Sequence, residues 1–312
     1  MKPIVTLTLN PAVDASCDAE TVHAVRKVRT SNERFDPGGG GINVARVVGE
    51  LGGRAFAVYL AGGRPGDVLD ELVAAAGVQF HRVPTAEPTR ISHTVYERSS
   101  GHEFRFTPEG PRLREAEWQA ALSFLELLDF DFVVASGSVP RGVPADFYAQ
   151  VGALAAAKGA RLVVDTSGAG LQAALKAGVY LAKPSLGELR AVVGREVADE
   201  AIMAAAAQEL VQGGAAELLA VTLGADGALL ATRDGVVRLR APPVEVRSAV
   251  GAGDSFVGAM TWALAKGLDA EAAFAYGVAA GTATALTPGT ALCRRDDVER
   301  LYTAVRSQAG VA

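Results

Sequence analysis

The amino-acid sequence predicts an α/β fold of three layers, in which helices cover both faces of a mostly parallel central sheet. Short apolar runs rich in β-branched residues alternate with longer Ala- and Leu-rich helical patterns, as in consecutive βαβ units. Hydrophobic residues make up 49% of the 312 residues, which allows a large buried core, and the 35 glycines indicate many turns. We expect one domain over residues 1–312, with a small β-sheet projecting from it.

The elements of the main domain follow in order along the chain. Strands are predicted at residues 4–9, 55–60, 132–135, 161–164, 179–182 and 218–222, and helices at residues 42–51, 68–76, 115–128, 145–157, 186–193, 201–212 and 255–266. A hairpin of residues 227–231 and 236–239 is expected at the sheet edge. Because ligands bind beyond the carboxyl ends of parallel strands, we expect the functional site at that edge of the sheet.

Two stretches, residues 12–36 and 88–107, do not follow the βαβ pattern. They mix polar with β-branched residues, and residues 91–96 and 103–106 alternate as two strands joined by a turn at 99–102. We interpret both stretches as the small projecting sheet.

Charge and cysteine content exclude several classes of protein. The formal net charge of -5 argues against a nucleic-acid or anionic-membrane partner. Cys17 and Cys293 form neither a disulfide framework nor a metal-binding spacing. We find no signal-peptide pattern and no run of ~18 apolar residues, so we expect a soluble cytoplasmic protein.

Residues able to carry chemistry cluster behind the ends of the predicted strands. They are Asn10, Asp14, Ser136, Ser138, Asp165, Lys183 and Gly224. This clustering is what a ligand-binding edge of a parallel sheet requires.

The segment from Val250 to Ser255 is the strongest indication of chemistry. Gly251 and Gly253 allow successive backbone amides to approach a ligand, and the helix that follows adds its unsatisfied N–H groups, which suits an anion. Asp254 could take a proton from a hydroxyl that attacks a phosphoryl group held there. An Asp N-cap after a glycine turn is the structural alternative.

Four consecutive glycines, residues 38–41, precede Asn43 at the start of a predicted helix. An open backbone of this kind would let a polyhydroxylated ligand reach the main chain, although a flexible loop is the simpler interpretation. The run does not follow the first strand as a dinucleotide-binding fingerprint does, and no G-x-x-x-x-G-K-[ST] sequence is present. A nicotinamide-dependent oxidoreductase and a P-loop enzyme are therefore excluded.

The glycine run with Asn43, together with Gly251-Ala252-Gly253-Asp254, resembles the two signatures of the ribokinase-like (PfkB) carbohydrate kinase family. The resemblance extends over residues 8–293 and implies ATP-dependent phosphorylation of a sugar. Because the glycine run lacks a lysine, fructose 6-phosphate, phosphorylated at its C1 hydroxyl, is the expected acceptor. Fructose 1-phosphate and tagatose 6-phosphate are alternatives, and so is a sugar-phosphate-binding regulator without turnover.

The resemblance implies roles for individual positions. Asp254 would accept the proton of the attacking hydroxyl, and the amides of Gly251, Ala252 and Gly253 would hold the migrating phosphoryl group. Contacts to the sugar are implied for Asp14, Gly39, Gly40, Asn43, Arg90, Arg105 and Ser138. Arg90 and Arg105 would clamp the phosphate of the sugar; taken alone, they are more typical of surface charges on a hairpin.

The resemblance also implies an ATP site and two cation sites. The ATP-binding residues would be Lys27, Lys183, Ser185, Thr222, Gly224 and Gly227. Ser185 departs from a Lys-Pro-Asn-x-x-Glu motif of the family, because it replaces the Asn with a shorter side chain. Glu188 and Asp165 would organise Mg²⁺ through water, and backbone groups of Ser248 and Val250 would bind K⁺. Ala291 stands where close relatives tend to have an arginine, which weakens the K⁺ expectation.

The projecting sheet carries apolar side chains that so small an element cannot bury alone. They are Ile91, Val95, Phe104 and Phe106. In the family such a sheet covers the sugar as a lid and pairs with a second copy, so we expect a homodimer through the β lid. The expected ligands are ATP and a sugar phosphate.

Overall fold

Two sheets and the helices around them account for the fold. The computed structural model describes residues 2–308. In chain order the elements are β1 (Ile4–Thr8), β2 (Ala12–Ala19), β3 (Thr30–Gly38), α1 (Gly40–Glu50), β4 (Ala55–Ala61), α2 (Gly63–Ala75), β5 (Gln79–Pro84), β6 (Arg90–Glu97), β7 (Glu103–Phe106), α3 (Glu115–Leu127), β8 (Phe132–Ser136), α4 (Phe147–Ala157), β9 (Arg161–Asp165), α5 (Gly168–Ala177), β10 (Val179–Ala182), α6 (Leu186–Val193), α7 (Glu200–Gln212), β11 (Ala216–Thr222), β12 (Ala228–Thr232), β13 (Gly235–Leu239), α8 (Ala252–Ala265), α9 (Ala270–Ala285) and α10 (Arg295–Gln308).

The larger sheet has nine strands in the order β13-β12-β11-β10-β9-β8-β1-β4-β5. The pairs from β5 across to β11 are parallel, whereas β12 and β13 form an antiparallel hairpin at one edge. From β1 the chain adds β4 and β5 on one side and then returns to place β8 on the other. This change of direction opens a crevice at the carboxyl end of β1, where a ligand can bind.

Helices cover both faces of this sheet, as the sequence predicts. Helices α1, α8, α9 and α10 share one hydrophobic core with the sheet, and α3, α4, α5, α6 and α7 share a second core. Helix α2 packs with α1 and β4 in a smaller third core. Successive strand residues alternate between the first two cores: Val134 belongs to the first, and Val133 and Ala135 belong to the second. The prediction of a three-layer α/β fold is confirmed.

The smaller sheet has four strands in the order β3-β2-β6-β7. Strands β2 and β6 are parallel, and the two outer pairs are antiparallel. Its strands span residues 12–38 and 90–106, close to the predicted stretches. Because β3 ends at Gly38 and α1 begins at Gly40, the glycine run is the junction between the small sheet and the main domain.

Several elements differ from the predictions. Strand β5 and helices α5, α9 and α10 were not predicted; α9 is buried on nearly every side, so it lacks the one-sided periodicity that marks a surface helix. Helix α2 begins at Gly63 instead of residue 68, because Pro65 falls in the first turn, where a missing N–H costs nothing. Among residues 2–308 no helix is long and apolar enough to cross a membrane.

Candidate active site

The N-terminus of α8 forms a turn of exposed amides. Gly251, the residue before the helix, has a φ of 76°, a left-handed conformation that glycine adopts without strain. The Ala252 amide makes only a long bond of 3.4 Å to the Ala249 carbonyl, and within residues 2–308 the amides of Gly251 and Gly253 donate to no backbone carbonyl. These donors, at the positive end of a helix 14 residues long, are suited to a phosphate.

Asp254 lies in the first turn of α8 and faces the glycine run. Its Oδ2 accepts a hydrogen bond of 2.9 Å from Asn43 Nδ2. A Cβ added at Gly40 would lie 3.1 Å from Asp254 Oδ1 and 2.1 Å from Ser136 Oγ, so only glycine allows this close approach. Burial raises the pKa of Asp254 to about 7, with a further increase from the charge of Asp165. A carboxyl group with such a pKa can accept a proton near neutral pH.

Lys183 and Asp165 form a buried ion pair beside this turn. Lys183 Nζ lies 3.1 Å from Asp165 Oδ1, and a Cβ added at Gly253 would lie 3.5 Å from the same Nζ. Burial opposes the charge of Lys183, but the neighbouring carboxylates of Asp165, Glu188 and Asp254 together raise the pKa of the lysine above its ordinary value. Lys183 therefore brings a positive charge to the turn of exposed amides, and this charge is suited to a phosphate group.

Ser185 and Glu188 form a capping box at the start of α6. Ser185 Oγ accepts from the Glu188 amide at 3.3 Å, and the Ser185 amide donates to Glu188 Oε2 at 2.7 Å. The S-x-x-E pattern of a capping box is visible in the sequence, although we predicted only nucleotide and metal binding from these residues. One carboxylate oxygen of Glu188 is thus engaged in the cap.

The donor set fits a magnesium ion that is bound mostly by water and phosphate. Within residues 2–308 no group of three His, Cys, Asp or Glu side chains forms a metal cage. Asp165 and Glu188 each have one carboxylate oxygen that takes no part in the contacts described above. Mg²⁺ retains several waters and needs few carboxylates, so these two oxygens fit its outer sphere.

Asp14 occupies the start of the small sheet, opposite Asp36 on β3. Its carboxylate packs against the first glycine of the run, because a Cβ at Gly38 would lie 2.1 Å from Asp14 Oδ2. Burial raises the pKa of Asp14 to about 6, although the charge of Arg90 acts in the opposite direction. Gly39 has a φ of 118°, which glycine tolerates and which turns the chain into α1.

The two arginines predicted to clamp phosphate have protein partners. Arg90 donates to the carbonyls of Asn10 at 2.8 Å, Pro108 at 2.9 Å and Pro11 at 3.4 Å, and so braces two loops. Arg105 is exposed and pairs with Glu103 at 2.6 Å. The register puts both arginines on the same face of the small sheet as Asp14. Their role toward a phosphate stays a prediction.

Ser138 is held at the carboxyl end of β1 and β8. Asn10 Nδ2 donates to Ser138 Oγ at 3.0 Å and to the Glu109 carbonyl at 2.9 Å. Asn10 Oδ1 and Ser136 Oγ are buried without a protein partner in the described part of the chain. Unpaired buried polar atoms at this edge fit a site that is completed by a ligand.

Thr222 and Gly224 lie where β11 ends, beside the start of α6. The Thr222 amide donates to the Pro184 carbonyl at 3.0 Å, and a Cβ added at Gly224 would meet no atom within 4 Å apart from its chain neighbours, so this turn borders open space. Gly227 has a different explanation. A Cβ at this position would lie 2.3 Å from the Leu239 carbonyl, so packing against β13 already requires the glycine.

The remaining predicted residues lie outside this cluster of contacts. Lys27 is exposed in the loop between β2 and β3, and no hydrogen bond or ion pair among residues 2–308 joins it to the other predicted residues. Ser248 is buried, and its Oγ accepts from the Val250 amide at 3.3 Å. The potassium site stays a prediction.

Sequence reasoning did not identify Arg46 and Asp36 as parts of the site. Arg46 donates to Asn43 Oδ1 at 3.1 Å, and Asp36 accepts from the Thr290 hydroxyl. Arg46 lies three residues after Asn43 on α1, a spacing that places two side chains next to each other on a helix.

An amide-lined helix N-terminus, a carboxyl group whose pKa is raised to about 7 by burial and a paired lysine together define a phosphotransferase site. The family model described as "pfkB family carbohydrate kinase" matches residues 7–297. The chain therefore belongs to this family. It is similar to proteins named "ATP-dependent 6-phosphofructokinase isozyme 2". The protein of that name from Mycobacterium tuberculosis (strain CDC 1551 / Oshkosh) is 46% identical over 96% of this chain and 88% of that protein. The one from Escherichia coli (strain K12) is 40% identical over 97% of this chain and 98% of that protein.

A 1-phosphofructokinase from Xanthomonas campestris is less similar, with 36% identity over 83% of each chain. Among solved structures, the phosphofructokinase-2 from Escherichia coli in complex with potassium superimposes with a TM-score of 0.94 at 39% identity. The match covers 98% of this chain and 99% of that chain. The fold and the family are therefore those of a carbohydrate kinase.

Proposed function

We propose that this chain is an ATP-dependent 6-phosphofructokinase. It transfers the γ-phosphoryl group of ATP to the C1 hydroxyl of fructose 6-phosphate, giving fructose 1,6-bisphosphate and ADP. The observation that carries the proposal is the position of Asp254, whose carboxylate faces the glycine run from the same helical turn that presents the free amides. The names of the relatives with 40% and 46% identity support the same acceptor.

The proposed roles follow from the geometry of the site. Asp254 takes the proton of the C1 hydroxyl as the oxygen attacks, and the amides of residues 251–253 hold the phosphoryl group in line. Lys183 balances the charge of the nucleotide phosphates from its position beside Gly253. The glycine run brings the sugar hydroxyls within reach of Asn43 and Asp14.

Cations would complete the charge balance of the reaction. Asp165 and Glu188 would hold the waters of a magnesium ion that neutralises the β- and γ-phosphate oxygens of ATP. The backbone around Ser248 and Val250 is proposed as the potassium site, and the potassium complex of the Escherichia coli phosphofructokinase-2 supports this proposal.

The acceptor is distinguished from its rivals by a direct assay. Initial rates of ADP formation are measured with MgATP and matched concentrations of fructose 6-phosphate, fructose 1-phosphate or tagatose 6-phosphate. We expect a strong preference for fructose 6-phosphate, with Arg90 and Arg105 selecting a sugar that already carries a phosphate. A preference for fructose 1-phosphate would favour the activity named for the Xanthomonas relative. Absence of turnover with all three sugars would favour a regulator.

The small sheet has one apolar and one polar face, which supports a homodimer. The register aligns Phe35, Ala15, His93 and Phe106 in one row across its four strands. Phe35 is 54% exposed and Phe106 58% exposed, a large apolar area to leave in water. We propose that two copies pair through this face, whereas the opposite face, which carries Asp14 and Arg105, closes over the sugar as a lid. A cytoplasmic location is proposed from the cysteine content alone.

A further inference from the structure

A chain of polar contacts runs from Asp254 through α1 to the end of β3. Asn43 Nδ2 donates to Asp254 Oδ2 at 2.9 Å, and Arg46 Nη1 donates to Asn43 Oδ1 at 3.1 Å. The same Nη1 lies 3.3 Å from the Pro37 carbonyl. Arg46 Nη2 approaches Asp36 Oδ1 at 4.0 Å. Both polar atoms of the Asn43 side chain are therefore engaged, the nitrogen by the carboxylate and the oxygen by the guanidinium.

The far end of this chain of contacts is held firmly. The Arg46 and Asp36 side chains are only 17% and 16% exposed, and Asp36 also accepts from the Thr290 hydroxyl in the loop after α9. An enclosed ion pair is costly to desolvate and is not by itself a strong source of stability. Its position behind Asn43 suggests that Arg46 acts on the site.

Arg46 determines which way the Asn43 amide faces. A guanidinium can only donate hydrogen bonds, so the Asn43 atom facing it must be the amide oxygen. The amide nitrogen must then face Asp254, whatever the protonation state of that carboxyl. Without Arg46, a protonated Asp254 could donate to the oxygen of a rotated Asn43, and this contact would stabilise the acid instead of the base.

We propose that Arg46 is a positioning residue, which locks the Asn43 amide so that Asp254 can only accept a hydrogen bond from it. Arg46 thereby favours the carboxylate form of Asp254 before the sugar hydroxyl arrives. This inference rests on the proposed role of Asp254 as the base. It assigns to α1 a task beyond contact with the sugar.

The test is the pH dependence of kcat and kcat/KM for Arg46→Met, which keeps most of the side-chain length but removes every donor. We expect the acid limb of the pH profile to move up by about one pH unit, the size of one hydrogen bond, so that kcat falls about fivefold at pH 7 and about tenfold below the limb. Activity should recover toward the wild-type value at higher pH, where Asp254 is ionised in any case. If Arg46→Met only disturbed the local structure, it would lower kcat at every pH and leave the acid limb at its wild-type position.

Arg82→Met is the matched control. Arg82 is a partly buried arginine on β5 that pairs with Asp67 and Asp70, at the edge of the sheet away from α8. We expect its removal to leave the acid limb unmoved, even if it lowers the melting temperature. An equal shift in both variants would overturn the inference.

A double-mutant cycle separates an effect through the amide from a direct effect of the Arg46 charge. In an Asn43→Leu background, Arg46→Met should cause no further shift of the limb, because the amide that it orients is gone. A shift that persists in that background would show that Arg46 acts through its charge and would overturn the proposal. The other charged side chains that act on the carboxyl group of Asp254 are Asp165, Lys183 and Asp14.

Failure of the base assignment would give a different result. If Asp254→Asn kept full turnover, the proposed role of Asp254 would fall, and the inference about Arg46 with it. If Asp254→Asn were inactive while Arg46→Met kept the wild-type limb, only the inference about Arg46 would be overturned.

Discussion

At the scale of single residues, Asp254 combines burial with a proposed role that requires a negative charge. Burial and the charge of Asp165 raise its pKa to about 7, while the hydrogen bond from Asn43 and the charge of Lys183 lower it. A carboxyl group whose pKa is raised in the native state costs folding free energy when it ionises. The same property makes it a good proton acceptor near neutral pH. Stability and activity therefore oppose each other at this position.

Asp254→Asn tests this opposition. We expect kcat to fall by a factor on the order of 10²–10⁴, the usual contribution of a general base. The melting temperature at about pH 8 should rise above that of the wild type, because an amide is buried there instead of a carboxylate. Steady-state kinetics and thermal unfolding measure the two effects. Asp234→Asn, in the exposed turn between β12 and β13, is the control, and a rate of Asp254→Asn within threefold of wild type contradicts the assignment.

The pH dependence of the wild-type enzyme follows from Asp254 and Asp14, whose pKa values are raised to about 7 and about 6. The proposed mechanism needs both carboxylates ionised, so kcat/KM should fall as the pH decreases through 7 and fall more steeply below 6. Between the ordinary aspartate pKa of 3.8 and these raised pKa values the native state binds more protons than the unfolded chain. The contribution of Asp254 and Asp14 to the free energy of unfolding therefore decreases as the pH rises through this window. A kcat/KM that is flat from pH 5.5 to 8 would contradict the prediction.

At the scale of elements, the start of α6 shows how one segment serves both folding and binding. Ser185 caps the helix, and Glu188 completes the capping box. Ser185 replaces the Asn of the family motif without loss of the helix cap, since Ser and Asn are both favoured N-cap residues. The chemistry that distinguishes them is the second hydrogen-bonding atom of Asn, which Ser lacks.

Two substitutions at Ser185 separate capping from nucleotide binding. Ser185→Ala should destabilise the protein by about 1 kcal/mol, which for a chain of this size lowers the melting temperature by about 2 °C. Ser185→Asn should preserve the cap and lower KM for MgATP, because the longer amide reaches the phosphate and its waters. Thermal unfolding and KM measurements on both variants check this. An unchanged KM for Ser185→Asn would show that Ser185 already serves the nucleotide as well as Asn.

At the scale of the whole molecule, the small sheet would link substrate binding to the proposed association of two chains. Its polar face carries Asp14, and its apolar face carries Phe35 and Phe106. Strand β3 continues through the glycine run into α1, so a movement of the sheet acts directly on Asn43. Pairing of two copies through the apolar face would therefore also steady the sugar site.

Phe106→Lys tests the proposed dimer. A charge on the apolar face should convert a dimer into a monomer at micromolar concentration, because burying an unpaired ammonium is costly. Light scattering coupled to size-exclusion chromatography measures the mass. Leu127→Lys is the control, since Leu127 is 80% exposed at the end of α3 and should leave the mass unchanged. A wild-type chain that is monomeric under these conditions would contradict the proposal.

Much of the fold could be predicted because it depends on local patterns. Short apolar runs marked most strands of the large sheet, and the stretches 12–36 and 88–107 were assigned to a second sheet. Helix α9 was not predicted, because its Ala- and Gly-rich sequence is buried on nearly every side and shows no polar face. The capping role of Ser185 could have been predicted from its S-x-x-E spacing, whereas the Thr290–Asp36 contact, which joins residues 254 positions apart, could not.

The sequence by itself determined the α/β class, the edge of the sheet that carries the site and the glycine–aspartate segment that marks a kinase. These features depend on residue type and on short spacings along the chain, which can be read directly from the amino-acid sequence. Only the tertiary structure decided that Arg90 braces two loops, that Gly227 packs against β13 and that Arg46 contacts Asn43 beside Asp254. Those roles depend on distances between residues far apart in the chain, because side-chain direction and burial arise only when the layers pack together.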